Sequence, residues 1–343
     1  MKMSNSELDD EKNTFLTEQA RCLLQATDEV LERVQPELPE PVERKLALLI
    51  LDGVLHENAA ASRPPVREFL RKRIGRAIGD METSRVNKGA QIWKFYNHGF
   101  VIRTKTVTLG FDLVRAAYLD EGRFGIENAV MRRLVDQCDV LFISHQHEDH
   151  ADPLVVQLFL EQGKPVLAPP DLWKENDAYG SIIHPARDPH CIQTVAVQGG
   201  KRRVEVATFP GDHGGDLNLI NNVYVVSTPE GLCFCHTGDQ NSASSFSWMD
   251  KIKHSHKVDV LMPNCWTMNI ARMTNGFDPQ LVITGHENEL GHTIDHREPY
   301  WLSYERKTAS GRSNGSTSVG YPQPLLLMTW GETYHYKRKR RCE

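Results

Sequence analysis

The chain has 343 residues, 40% of them hydrophobic and 25% charged, with a formal net charge of −5. That length holds one large domain with an added element, or two modest domains, and the composition excludes disorder throughout. A slightly acidic chain has no general pull toward nucleic acid, so none is expected as a partner and a polyanion would need a local basic patch.

No apolar run in the chain approaches the roughly 18–20 residues that cross a bilayer, so no transmembrane segment is expected. The first twenty residues are polar and acidic, unlike a signal peptide, and a cytoplasmic location is expected. Seven cysteines, an odd number scattered from position 22 to 342, do not form a disulfide framework. Reduced thiols are the expectation.

Apolar residues at three- and four-residue spacing predict helices over 6–34, 42–56 and 64–81, with the Pro36–Pro41 stretch ending the first and Pro64-Pro65 opening the third. From Gln91 the pattern changes to short β-branched and aromatic runs. Strands are expected at 92–96, 100–103, 106–109, 140–143, 166–168, 203–209, 222–228, 231–236, 258–262 and 281–284, with helices at 128–137 and 153–162. Strands interleaved with helices define a layered α/β domain. The expected organisation is a helical extension over 1–90, a catalytic domain over 91–335 and a basic tail over 336–343, with a flexible loop at 310–316.

The densest chemistry is His145-Gln146-His147-Glu148-Asp149-His150, directly after the apolar strand Val140–Ile143. Imidazole nitrogen and carboxylate oxygen are the donors that hold borderline divalent ions such as zinc. A loop leaving a strand can aim His145 and His147 at one ion and Asp149 and His150 at a second. One cluster cannot complete two coordination spheres, and further donors follow other strand candidates: His213 after Val206–Phe209, Asp239 after Leu232–Cys235, and His286 after Leu281–Thr284. Each of these alone is a common turn or capping residue. Their order and shared setting make the case.

A His-x-His-x-Asp-His motif followed by single His, Asp and His residues at strand ends resembles the metallo-β-lactamase superfamily, over about residues 91–335. The resemblance implies a four-layer αββα sandwich with metals at one edge. It further implies that His145, His147 and His213 hold a first metal, that Asp149, His150 and His286 hold a second, and that Asp239 bridges both. Asn97-His98-Gly99-Phe100, a strand pair ending at Gly110-Phe111-Asp112, and Asp152 are similar to the ascorbate-6-phosphate lactonase and N-acyl-phosphatidylethanolamine phospholipase branch. Asp239 in His-Thr-Gly-Asp points away from β-lactam hydrolysis, and the 47 positions from Asp239 to His286 leave no room for a large inserted nuclease domain.

The implied activity is a metal-dependent hydrolase. Two divalent ions, zinc first with manganese or iron behind it, share a water whose pKa falls toward roughly 7, and the bridging hydroxide attacks a small ester, lactone, amide or phosphate ester. Asp149 is the candidate for orienting that hydroxide, and His292 or His98 for protonating the leaving group. His292 and His296 are expected to share a helix face, where they either orient ligands or cap the helix, or else touch a third metal or a phosphate. Trp266 either walls the pocket or packs in the core, and Cys233 and Cys235 belong to the core. The alternatives are a phosphodiesterase of nucleotides or phospholipids, marked by an Arg or Lys pocket beside the metals, and a non-catalytic metal sensor or scaffold. Arg63, Arg67, Arg71, Lys72, Arg73 and Arg76 read as a solvated face, and the helical extension packs on the catalytic domain, covers its pocket or mediates a homo-oligomer.

Overall fold

A computed structural model of the chain describes residues 5–215, 219–309 and 323–338. The expected flexible loop at 310–316 and the tail beyond Arg338 lie outside these residues. Three helices come first: α1 (Asn5–Arg33), α2 (Val42–Leu55) and α3 (Pro64–Thr83). The residues that the periodicity selected in α1 and α3 are buried at Leu24, Leu31, Leu70, Ile74 and Ile78, but of its choices in α2 (Leu46, Leu49, Ile50 and Leu55) only Leu55 is buried, and Leu48 and Leu51 face the core instead.

One sheet contains β1 (Ala90–Lys94), β2 (Phe100–Arg103), β3 (Thr108–Phe111), β4 (Val140–Phe142), β5 (Val166–Leu167) and, at the far edge beside β1, a strand over Thr333–Tyr336. Strand β3 begins two residues later than expected, because Thr104 N–H donates to Val107 O at 2.8 Å and spends Val107 on a turn. Between these strands lie α4 (Asn128–Asp136) and α5 (Pro153–Glu161), close to their expected bounds.

The second sheet is built from β6 (Ile192–Val197), β7 (Arg202–Asp212), β8 (Ile220–Ser227), β9 (Cys233–His236), β10 (Val260–Met262), β11 (Leu281–Ile283) and β12 (Leu325–Leu326), in the spatial order β12-β11-β10-β9-β8-β7-β6. Thr333–Tyr336 is then β13. Strand β6 escaped the sequence reading because it is an edge strand whose apolar first residue, Ile192, is exposed. Short helices α6 (Phe246–Met249), α7 (Ile252–Ser255) and α8 (Ile270–Phe277) and the helix α9 (Tyr300–Ala309) complete the described chain.

Alternation along the strands sorts the apolar side chains into three layers. Ile92, Phe100, Ile102, Phe111 and Phe142 of the first sheet meet Val206, Val226, Phe234, Val260 and Ile283 of the second in the middle. Phe209, Val223, Val225, Cys233, Cys235 and Leu261 face α6, α7 and α8, so both cysteines are core residues. Trp93, Tyr96, Val101, Leu141 and Val166 face outward into a cluster shared with α1, α2, α3, α4 and α5. The fold is the four-layer α/β arrangement of helices, sheet, sheet and helices, with the N-terminal helices added to one outer layer. All six described cysteines are free thiols.

The basic run at α3 is only in part a solvated face: Arg71, Lys72 and Arg76 are exposed, Arg67 is half-buried, and Arg63 and Arg73 are buried. Arg73 is 4% exposed and donates to Asp28 and to Trp330 O, Lys72 and Arg76 pair with Asp28, Arg67 pairs with Asp120, Arg63 pairs with Glu57, and Arg71 donates to Gly125 O. These cations staple α3 to α1 and to the loop after β3. A periodicity argument sees charge but not the partner that neutralises it.

Candidate metal centre

The C-terminal ends of β4, β7, β9 and β11 lie at one edge of the sandwich. Alternating antiparallel pairing makes β7 run with β9, and β9, β10 and β11 are parallel neighbours, so their following loops emerge on the same side. The sheets are tied together there: Asn222 N–H donates to Ser144 O at 2.7 Å and the Tyr224 hydroxyl donates to Ile143 O at 2.9 Å.

The loop after β4 turns tightly, with the amides of His150 and Ala151 both donating to His147 O at 2.9 and 2.8 Å. This brings His145, His147, Asp149 and His150 to one point. Two groups of donor atoms result, each with all its atoms within 4.8 Å of one another: His145, His147, His213 and Asp239, and Asp149, His150, Asp239 and His286. Asp239 belongs to both. Its Oδ2 lies 3.2 Å from His150 Nε2, 3.3 Å from His286 Nε2, 3.6 Å from His213 Nε2 and 3.7 Å from His145 Nε2. Asp149 Oδ2 is 3.2 Å from both His150 Nε2 and His286 Nε2.

The Nε2 atoms of His145, His150 and His286, and Asp239 Oδ1, are buried and have no hydrogen-bond partner. Uncompensated polar atoms of this kind are costly unless something satisfies them. Four such atoms converging on a mixed nitrogen and oxygen donor set fit divalent cations.

The electrostatics fit as well. Burial drives His145 well below the ordinary imidazole range, and His150 adds to this. Burial also resists charge on His150, but Asp149, Asp239 and Asp112 hold it well above that range. His286, equally buried, is lifted to about 10 by Asp239 and Asp149. Asp149 and Asp239 lie well below the usual carboxylate range, since His150 and His286 outweigh the cost of burial. In the metal-free protein, the charge that balances Asp149 and Asp239 is held by His150 and His286.

The surrounding residues hold these donors in place. Asp112, just after β3, accepts from Ser144 N–H at 2.7 Å and Ser144 Oγ at 2.6 Å, and its Oδ2 lies 2.7 Å from His150 Nδ1. The sequence reading passed over it, though a carboxylate at a strand end beside the histidine loop was the available signal. Asn97 Nδ2 donates to Asp149 Oδ2 at 2.7 Å, and Asn221 Oδ1 accepts from Asp239 N–H at 3.1 Å. Gly285 is required for space, because a Cβ there would lie 2.1 Å from His98 Cδ2. Asp152 caps α5 and takes three donations from Arg115.

His98 is fully buried, its ring centroid 4.2 Å from that of His236 and tilted by 38° to it, with its Nε2 3.3 Å from Met262 O and its Nδ1 3.9 Å from Asp239 Oδ1. His292 is half-buried with its ring 5.1 Å from that of His286. It does not share a helix face with His296. The segment is a turn followed by one 3-10 turn over Ile294–His296, and His292 Nδ1 meets His296 O at 3.2 Å. Trp266 is half-buried with its ring 5.5 Å from His213 and 5.7 Å from His286, so it flanks the donor set rather than filling the core.

A two-sheet sandwich with histidines and aspartates gathered at one edge defines a class of metal-dependent proteins. This chain belongs to the metallo-β-lactamase superfamily: the family model described as "Beta-lactamase superfamily domain" matches residues 91–275, more than half of the chain. A search of curated proteins finds no match. Among solved structures the chain is similar to Igni18, described as a novel metallo hydrolase from the hyperthermophilic archaeon Ignicoccus hospitalis, at 16% identity over 74% of this chain and 100% of that one, with a TM-score of 0.51. It is also similar to an isothiocyanate hydrolase from Delia radicum gut bacteria, at 12% identity over 72% of this chain and 99% of that one, with a TM-score of 0.50. A third is CmlA, a diiron β-hydroxylase from Streptomyces venezuelae, at 13% identity over 74% of this chain with a TM-score of 0.48; the match spans 55% of CmlA. At these identities the likeness is one of fold. No described helix is long and apolar enough to cross a membrane.

Proposed function

We propose that this protein is a hydrolase that uses two divalent ions, zinc first, on a small ester, lactone or amide. The observation that carries the reading is the pair of donor groups sharing Asp239, with their buried histidine Nε2 atoms lacking any other partner. His145, His147 and His213 would hold one ion and Asp149, His150 and His286 the other, with Asp239 available to each group. Ions so held supply an acidified water as nucleophile and polarise the substrate oxygen that gains charge in the transition state.

The chain's own residues do the rest. Asp149, held by Asn97, orients the attacking water. His292, at the rim beside His286, protonates the leaving group. His98, the other proton-donor candidate, is buried against His236 and serves instead to support the floor beneath Asp239. Trp266 walls the substrate space next to His213.

Phosphate esters fit these surroundings less well. Arg115 is committed to Asp152, Arg187 to the carbonyls of Gly211 and Asn221, and Lys94 to Thr284 O beneath the site. An uncharged acyl substrate asks for no such cation. The helical extension over 1–90 acts as part of this catalytic unit, and similarity to the lactonase and phospholipase branch rests on the 97–100 motif, the strand pair ending at Asp112, and Asp152.

Metal analysis with a substrate panel is the test. Two ions per chain, with turnover of esters or lactones exceeding that of phosphodiesters, is the expected result. Less than one ion per chain together with no hydrolysis across the panel would sink the proposal.

A further inference from the structure

The family match stops at residue 275, and His286 lies beyond it. The backbone that carries His286 is unusual. His286 has φ +73° and Asn288 has φ +55°, both in the left-handed region that is strained for a residue other than glycine. Such conformations persist only when the surroundings over-determine them. His286 N–H makes only one long hydrogen bond, 3.3 Å to Asn97 O, so the restraint must come from elsewhere.

Part of it is Asn288 N–H donating to Glu298 O at 2.8 Å, and part comes from the N-terminal helices. Asp52, near the end of α2 and 8% exposed, accepts from Asn288 Nδ2 at 2.8 Å through Oδ1. The same carboxylate takes the amides of Tyr300 at 2.8 Å and Trp301 at 2.9 Å, the first residues of α9. Asp52 thus holds both ends of the segment between the last donor and the next helix. Arg297 spans the middle. Its guanidinium donates to the carbonyls of Glu289, Leu290 and His292 within the segment, at 2.8 to 3.0 Å, and to those of Leu55, the last residue of α2, and Glu57 just beyond it. All five carbonyl bonds are charge-assisted contacts in a buried or part-buried setting, where they are strongest.

We infer that the N-terminal helical segment is a positioning element for the metal centre: Asp52, through Asn288 and supported by Arg297, sets the backbone that aims His286 at its ion. This rests on the two-metal reading above. Neither α2 nor the 286–301 segment lies in the part of the chain matched by the family, and each is fixed by the other. Asp52 touches no donor atom itself and is a positioning residue, as Arg297 is.

The consequence is selective. Loss of Asp52 weakens the group that contains His286 and leaves His145, His147 and His213 as they are. Partners that orient metal-binding residues are each worth about 10- to 100-fold in metal affinity. The experiment titrates zinc into chelator-stripped, full-length protein against a chromophoric competitor, for wild type, Asp52→Ala and Asn288→Ala. The expected result is two zinc ions in wild type and, in both variants, an unchanged first affinity with a second weakened 10- to 100-fold. Unchanged affinities at both sites would overturn the inference. So would equal weakening of both with a lowered melting temperature, which is what a merely structural role produces. Asn288→Ala leaves the Tyr300 and Trp301 amides on Asp52, so it decides the matter if Asp52→Ala does not fold. A wild type that takes one zinc or none defeats the two-metal reading, and this inference with it, on the wild type alone and before any variant is measured.

Discussion

Asp112 Oδ2 lies 2.7 Å from His150 Nδ1, and both side chains are fully buried. The contact fixes the tautomer and tilt of the imidazole so that Nε2 faces Asp149 and Asp239. Asp112→Ala is expected to weaken metal retention about 10- to 100-fold and to lower turnover in step, read from metal content after dialysis against a weak chelator. Asp112→Asn keeps one acceptor for the ring and should fall between the two. Wild-type metal content in Asp112→Ala would show that the contact does not orient a donor.

The charge state of His286 sets a pH dependence. An imidazole ligates only when neutral, and in the metal-free protein Asp239 and Asp149, against the effect of burial, hold His286 at about 10. Binding therefore expels a proton at neutral pH, and affinity rises with pH up to about 10 instead of levelling off above the ordinary histidine range. Calorimetric titration with zinc at pH 8, in two buffers of different ionisation heat, should show at least one proton released per chain. A buffer-independent heat would contradict this.

Trp266 flanks the donor set without supplying a donor atom, its ring within 6 Å of those of His213 and His286. Trp266→Ala should raise KM at least severalfold, keep kcat within a few-fold of wild type, and leave metal content unchanged. Loss of metal in this variant would mean that the ring packs the donors rather than the substrate.

Lys94 is 1% exposed, with Nζ 3.3 Å from Thr284 O and 3.9 Å from Glu287. Burial lowers its pKa from 10.5 to about 8, despite Glu287. The folded state then releases this proton before the unfolded chain does. Below pH 8 the buried ammonium costs roughly 3 kcal/mol, and that cost disappears as pH rises from about 8 to 10.5. Chemical denaturation of wild type and of the Lys94→Met, Glu287→Gln double variant tests this. Between pH 7.5 and 10.5 wild type should gain on the variant by up to about 3 kcal/mol; a constant difference would show that the lysine is not perturbed.

Most elements were legible along the chain because their signals are local. Helical spacing of Leu24, Leu31, Leu55 and Ile74 marked α1, α2 and α3 to within a few residues, although the buried face of α2 is turned to Leu48 and Leu51 and away from Leu46 and Ile50, and the apolar runs ahead of His145 and His286 marked β4 and β11. The misses have physical reasons. The edge strand β6 lacks a clean buried face, β3 is delayed by a turn that takes Val107, and the segment holding His292 and His296 is shaped by Arg297 binding carbonyls instead of by helical hydrogen bonds.

What the sequence by itself determined is where the candidate donors stand, four in the loop after β4 and one each after β7, β9 and β11, because strand ends in such a sandwich share an edge. Only the tertiary structure decided how those donors are held. Asp112 reaches His150 across 38 positions, Tyr96 reaches Glu289 across 193, and Asp52 reaches Asn288 across 236. Contacts of that kind leave no periodic trace in the chain, since each depends on two distant segments being packed before either side chain has a partner.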